Sequence, residues 1–130
     1  MALNIAVKEI ANHSYVVDLD GSIDNDSYLD LEKSLTKITR EGTKAVYLDM
    51  KHVDYVSSAG MGVLVSERKR SNQYSALMAI TDLQPMVRKV FDMMKLSSIF
   101  FIIDDLPRTD EEINGLLARH LGMPPSQVIH

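Results

Sequence analysis

The feature that most constrains the fold of this chain is an alternation of strand-like and helix-like segments. Residues 15–20 and residues 45–48 are short runs rich in apolar and β-branched side chains. Between them, apolar side chains recur at the spacing of one helix face, at Tyr28, Leu31, Leu35 and Ile38. Two strands joined through a helix of this length favour a crossover connection and parallel pairing. The sequence therefore predicts an α/β fold with a partly parallel sheet.

Further strands and helices extend this pattern in both directions. Residues 3–8 alternate between more and less apolar side chains, which predicts a half-buried strand in a hairpin with residues 15–20. Downstream, residues 76–80 predict a buried strand and residues 99–103 a final one. The helix between those two strands has an apolar stripe at Val87, Val90, Phe91 and Met94. With its hairpin and its crossover, the expected sheet is mixed and flanked by helices.

Several local signals indicate where the helices begin and which of their faces meet solvent. Asp24 and Asp26 are suited to the start of the first helix, because carboxylates there accept free N–H groups and complement the helix dipole. Asp82 is suited to cap the helix that has Pro85 in its first turn. The charged run at residues 67–70 is typical of a solvated helix face.

The end of the chain carries a separate amphipathic helix. Thr109 and Glu112 form a capping box, and apolar residues follow at helical spacing, at Ile113, Leu116, Leu117 and Leu121. The apolar stripe of this helix must be buried, either against the same domain or against a second subunit or partner. We therefore expect a domain over residues 1–104 and a C-terminal helical extension over residues 105–130.

The length and composition exclude several classes of protein. A chain of 130 residues suits one domain and buries enough surface for an ordinary core. It has no cysteine, so disulfides and cysteine metal sites are excluded. The histidines are scattered without metal-ligand spacing, and we expect neither a metal nor a cofactor. These histidines are His13, His52, His120 and His130.

The charge and hydropathy of the chain bear on its partners. A net charge of −4 argues against nucleic acid as the main partner. No apolar run approaches the ~20 residues that a membrane span needs. The first residues lack the basic flank and apolar run of a signal peptide. We therefore expect no nucleic-acid and no membrane partner, and the absence of cysteine is compatible with a cytoplasmic location.

Residues 57–62, with the sequence SSAGMG, break the local rules for the start of a helix. Gly60 and Gly62 fall in its first turns, where each glycine costs ~1 kcal/mol relative to alanine. The result is a bare helix N-terminus, whose free N–H groups and dipole favour an anion such as phosphate. A serine hydroxyl at that end can carry a phosphate with little internal strain.

Two other interpretations of this segment compete with phosphorylation. Serine is a preferred N-cap, and the small residues can serve only to let the helix pack closely on the sheet. Ser58 can also be considered as the nucleophile of a small enzyme, but neither serine lies in a Gly-x-Ser-x-Gly elbow. The glycines do not form a dinucleotide-binding loop, because Val65 occupies the place of the third glycine. The residues alone leave the N-cap and phosphate interpretations open.

Three blocks of the sequence resemble the STAS domain, the fold shared by anti-sigma factor antagonists and the cytoplasmic tails of sulfate transporters. The blocks are residues 16–24, 45–50 and 53–64, and the resemblance covers residues 3–104. It implies a STAS-like mixed β-sheet flanked by helices, to which this chain adds the C-terminal amphipathic helix.

The resemblance also implies a function. In the antagonist branch of the family, a loop serine is phosphorylated by an anti-sigma factor that is also a GHKL-type serine kinase. The unphosphorylated antagonist binds that kinase and releases the sigma factor, and a PP2C-type phosphatase removes the phosphate. A chain of this kind is a regulatory binding protein and not an enzyme. The alternative is a non-switching scaffold subunit of a larger assembly, such as a stress-signalling complex or a transporter.

Site residues follow from the same resemblance. The loop resembles a Ser-Ser-Ala-Gly form of the family motif, in which the second serine is the usual acceptor. We therefore expect phosphorylation of Ser58, with Ser57 as the alternative. Asp24 matches a family block near that loop, although capping of the first helix is the favoured interpretation for it, as a core position is for Met61. The expected partner-binding residues are Asp24, Ser57, Ser58, Ala59, Gly60, Met61 and Gly62.

Overall fold

The computed structural model describes residues 2–11, 13–104 and 110–121, and within them the strands form one mixed sheet. The strands lie side by side in chain order, with β1 antiparallel to β2 and every later neighbour parallel. This arrangement confirms the predicted mixed α/β sheet with its hairpin and crossovers. The strands are β1 (Leu3–Ala11), β2 (Ser14–Ile23), β3 (Ala45–Val56), β4 (Leu77–Thr81) and β5 (Phe101–Ile103).

Helices cover both faces of the sheet. Three of them bury their apolar stripes, which include Leu35, Leu64 and Phe91, against side chains such as Leu48 on the first face. The fourth helix packs against the second face, where its Leu116 joins a separate apolar cluster. The helices are α1 (Tyr28–Ile38), α2 (Ser58–Gln73), α3 (Pro85–Met93) and α4 (Asp110–Leu121). None of these described helices has the length and apolar character needed to cross a bilayer.

The position of α4 answers one of the alternatives raised by the sequence. Its apolar residues Leu116 and Ala118 contact the sheet of the same domain. The side chains of Ile113, Leu117 and Leu121, which complete the predicted stripe, lie outside the described ones. The helix begins at Asp110, and the capping residue Thr109 lies outside the described residues. The division of the chain at residue 104 stays a prediction.

Strand β3 is much longer than residues 45–48, which were predicted from the apolar run alone. It continues to Val56, with buried Met50, Val53 and Val56 separated by pairs of exposed residues, and its pairing with β2 shifts register twice along this stretch. Asp49 is stabilised locally, since its Oδ1 accepts the backbone N–H of Lys51 at 3.0 Å. This length matters for the site because β3 carries the chain to the edge where residues 57–62 begin.

The helix starts differ from those predicted. Ser27, not Asp24 or Asp26, precedes the first residue of α1, and its hydroxyl donates to the Ser22 carbonyl oxygen at 2.7 Å. Asp24 instead closes the preceding turn, because its Oδ1 accepts the N–H of Asp26 at 2.9 Å. The prediction that these two carboxylates cap the helix is therefore wrong by a few residues.

Helix α3 also departs from its predicted boundaries. Gln84 is its N-cap, while Asp82 lies further upstream with a left-handed φ of 58°. Val87 and Phe91 are buried as predicted. Met94, expected in the same stripe, follows the helix end and is 45% exposed.

The prediction of a solvated charged run is wrong for Glu67, which is only 4% exposed. Its side chain faces α1, where Oε1 accepts a hydrogen bond from the Thr36 hydroxyl at 2.9 Å. The other oxygen, Oε2, has no hydrogen-bond partner among the described residues. Burial raises the pKa of this carboxyl, opposed by the Thr36 hydrogen bond and by Arg70.

We expect Glu67→Gln to raise the free energy of unfolding by about 1 kcal/mol near pH 8 and to change it little near pH 4. Because the folded-state pKa lies above the unfolded one, stability is lost as the pH rises through the folded value. Glutamine keeps an acceptor for Thr36 and does not ionise. Urea unfolding of both proteins across this pH range measures the difference. An equal gain at both ends of the range would contradict this account of Glu67.

Candidate functional site

The site lies at the junction between β3 and α2, and the two adjacent serines there have different environments. Ser57 is extended, with a ψ of 171°, and serves as the N-cap of α2. Its hydroxyl oxygen accepts the N–H of Gly60 at 3.0 Å, and the residue is only 8% exposed. The N-cap interpretation from the sequence therefore applies to Ser57.

Ser58 is the first residue of α2, and its side chain is exposed. Helix geometry leaves the first N–H groups of any α-helix without an intrahelical partner. In this helix Ser57 accepts the N–H of Gly60 through its hydroxyl and that of Met61 through its carbonyl oxygen. The Ser58 hydroxyl thus stands at the positive end of the helix dipole and is open to solvent.

The two glycines of the segment have different structural roles. A Cβ on Gly60 would lie 2.6 Å from Ile23 Cγ2 and 3.0 Å from the Ile23 carbonyl oxygen. Glycine is therefore needed there to let α2 approach the end of β2. A Cβ on Gly62 would meet nothing within 4 Å, and the residue is exposed. Packing accounts for Gly60 but gives no reason for glycine at position 62.

The end of β2 lies beside this segment and brings acidic groups with it. The backbone N–H of Ser57 donates to the Ile23 carbonyl oxygen at 2.7 Å, and the Ser22 hydroxyl donates to Asp54 Oδ1 at 2.8 Å. Asp24 follows directly, with a pKa that the backbone hydrogen bond from Asp26 lowers. The carboxylate of Asp24 therefore stays ionised at neutral pH, and Asp54 brings a second acidic side chain to this end of the sheet.

A groove runs from Ser58 along α2, on the side that faces the end of α3. Its volume is about 440 Å³, and it is named here the α2–α3 groove. Ser58 and Lys69 are eleven residues apart on α2, which corresponds to about 16 Å along the helix axis. The groove is lined by Ser58, Met61, Gly62, Val65, Ser66, Lys69, Met94 and Leu96.

The structure brings the predicted site residues together at one end of the sheet. Ser58 and Gly62 are exposed, and Asp24 and Ala59 are half-buried. Ser57, Gly60 and Met61 are buried, and Met61 is only 2% exposed. For Met61 the core position, which was the favoured interpretation, is the one observed. Whether any of these residues contacts a partner or carries a phosphate stays a prediction.

Sequence reasoning missed the far half of the groove. Met94 was assigned to a buried stripe, and Leu96 was not singled out. Lys69 belonged to the charged run, which was interpreted as a solvated helix face. The exposure of Met94, together with 81% exposure of Met93, marks an apolar surface that periodicity alone could not separate from the core.

Comparison with known proteins places this geometry in a family. Residues 4–109 match the STAS domain. A putative anti-sigma factor antagonist of Bordetella bronchiseptica, BtrV, is 33% identical over 82 residues, which are 63% of this chain and 71% of that protein. The anti-sigma-B factor antagonist of Staphylococcus aureus is 26% identical over 88 residues, or 68% of this chain and 82% of that protein.

A solved structure shares the same fold at lower sequence identity. The anti-sigma factor antagonist SpoIIAA in its unphosphorylated form aligns with a TM-score of 0.70 and 17% identity, covering 93% of this chain and 99% of its own. The phosphorylated form of SpoIIAA, a Bacillus cell fate determinant, aligns with a TM-score of 0.66 and 16% identity, covering 88% of this chain and 99% of its own.

Proposed function

The chain belongs to the STAS domain family, and we propose that within it the chain is an anti-sigma factor antagonist controlled by phosphorylation of Ser58. Unphosphorylated, it binds an anti-sigma factor that has GHKL-type serine kinase activity. Phosphorylation by that kinase releases it, and a PP2C-type phosphatase restores the binding form. On this proposal the chain is a regulated binding protein and a substrate of the kinase.

The observation that carries the proposal is the difference between the two adjacent serines. The hydroxyl of Ser57 is buried and already bonded to the helix, so a kinase would have to undo the N-cap to reach it. The hydroxyl of Ser58 is exposed at the N-terminus of the same helix. A phosphate there faces the positive end of the dipole, so the folded chain tolerates it.

Gly62 supports the binding half of the proposal. The fold does not use the absence of a side chain at this position, and glycine there makes α2 less stable. A flat patch one helical turn from Ser58 lets the backbone of a partner approach closely. The neighbouring α2–α3 groove adds apolar surface for that partner, with Lys69 placed to meet an acidic side chain.

The switch itself is electrostatic. Phosphorylation adds about −1.5 to −2 charges at pH 7. Asp24 and Asp54 already place acidic side chains at the adjacent end of the sheet. A partner surface matched to a neutral hydroxyl, or one that holds nucleotide phosphates nearby, is repelled by the added charge. Like charges set against each other across an interface cost several kcal/mol, which is enough to release the partner.

Phosphate mapping tests the proposal directly. We expect incubation with ATP and the GHKL-type kinases of its own organism to place one phosphate on Ser58, as located by peptide mass spectrometry. Ser58→Ala should abolish the modification. Ser57→Ala should keep it, at a stability cost of about 1 kcal/mol for the lost cap. A phosphate on Ser57 would overturn the assignment of the residue, and no phosphate on either serine would favour the scaffold alternative.

A further inference from the structure

Helix α4 packs on the second face of the sheet through an apolar contact. Among its described side chains, Leu116 and Ala118 are the buried ones. They pack on a strip of the sheet, which we name the second-face strip. The strip consists of Ala45, Tyr47, Leu77 and Ala79. A helix of 12 residues is not stable alone in water, so the folding of α4 depends on this contact.

The sequence of α4 includes a residue that lowers the stability of the helix, although the surrounding structure would accept a better helix former. Gly115 lies in its middle, next to buried Leu116. A Cβ at this position would meet nothing within 4 Å, and the backbone there is not left-handed. Alanine would therefore fit without strain and would favour the helix. Neither packing nor backbone geometry explains the glycine.

The surface beneath α4 also disfavours the packed position of the helix, independently of Gly115. Tyr47 is fully buried in the second-face strip, and its hydroxyl has no hydrogen-bond partner among the described residues. The same burial raises the pKa of this hydroxyl. A buried hydroxyl without a partner disfavours the closed state, because water satisfies the group once the cover leaves.

We propose that α4 is a releasable cover, which leaves the second-face strip as a unit while the rest of the sheet and α1–α3 stay folded. Release exposes the apolar strip around Tyr47 on β3, the strand that ends at Val56, directly before Ser57. The device controls access to the face of the sheet opposite α1–α3, and it does not depend on phosphorylation of Ser58. Gly115 and the Tyr47 hydroxyl both shift the equilibrium between packed and released α4 towards release.

Native-state hydrogen exchange on the full chain tests this inference. We expect the backbone amides of α4 to share one opening equilibrium, at least a hundredfold more populated than the opening that exposes the amides of β3 and α2. Gly115→Ala should lower the α4 opening population about fivefold, and Tyr47→Phe should lower it by a similar factor. Both variants favour the closed state, so neither is expected to prevent folding.

Gly62→Ala is the matched control, because it makes the same change at another helix position with open space around it. If α4 leaves independently, this variant slows exchange in α2 and leaves α4 unchanged. The inference is overturned if α4 amides exchange only with the whole domain, in which case Gly62→Ala slows them too. It is equally overturned if protection falls off gradually towards the C-terminus, because that pattern is fraying and not release.

Discussion

Ser58→Asp is expected to weaken binding to the anti-sigma factor about a hundredfold or more, whereas Ser58→Ala should bind as tightly as the wild type. Aspartate brings a permanent negative charge to a position where the partner meets a neutral hydroxyl. Alanine keeps the small size of the side chain and removes only the group that accepts phosphate. The alanine variant should therefore stay bound in the presence of ATP, when the wild type is released.

We expect both substitutions to leave the fold intact, so a difference in affinity between them reports on the contact with the partner. Ser58 is exposed, and a carboxylate in the first turn of a helix complements the dipole, so Ser58→Asp should keep or slightly raise the melting temperature. Isothermal titration calorimetry with the partner kinase gives the dissociation constants of the three forms.

A charge control separates a local effect from a change in net charge. Asn72→Asp adds the same charge to an exposed position on α2, about 20 Å further along the helix axis. It should leave the dissociation constant within about threefold of the wild type at physiological salt, where charges that far apart are screened. Equal binding by the wild type, Ser58→Ala and Ser58→Asp would show that Ser58 is not the switch.

The sheet and the helix stripes could be predicted from the sequence because local alternation reflects burial. Tyr28, Leu31 and Leu35 fall on one face whatever α1 packs against. The burial of Glu67 could not be predicted in this way, because it is decided by the approach of α1 and a hydroxyl from Thr36. The same holds for Met94, which follows the last residue of α3 and is exposed.

At the site, the sequence was enough to single out residues 57–62 but not to assign a role to each serine and glycine within them. Ser57 and Ser58 are adjacent, and their environments depend on which residue begins α2. Sequence signals place a helix end only to within a few residues, whereas a single residue separates the buried cap from the exposed hydroxyl. Gly60 and Gly62 pose the same problem, because only the distance to Ile23 tells them apart.

That distinction gives opposite expectations for two glycines separated by one residue. Gly60→Val should lower the free energy of unfolding by about 3 kcal/mol, because its side chain is forced against Ile23 and Val56. Gly62→Leu should raise it by up to about 1 kcal/mol, since leucine favours the helix and its side chain has open space. The gain in stability comes with a loss in binding. Gly62→Leu should lose at least tenfold in affinity for the partner, because leucine holds the partner's backbone away from α2.

Urea unfolding and calorimetry on the same preparations measure both effects. Gly62→Ala provides a graded control, because a methyl group gives nearly the same gain in helix stability with a much smaller obstruction. We expect its loss of affinity to lie between those of the wild type and Gly62→Leu. A stable Gly62→Leu variant with wild-type affinity would show that the partner does not approach this turn of α2. The contact surface would then have to lie elsewhere, and glycine at position 62 would again lack an explanation.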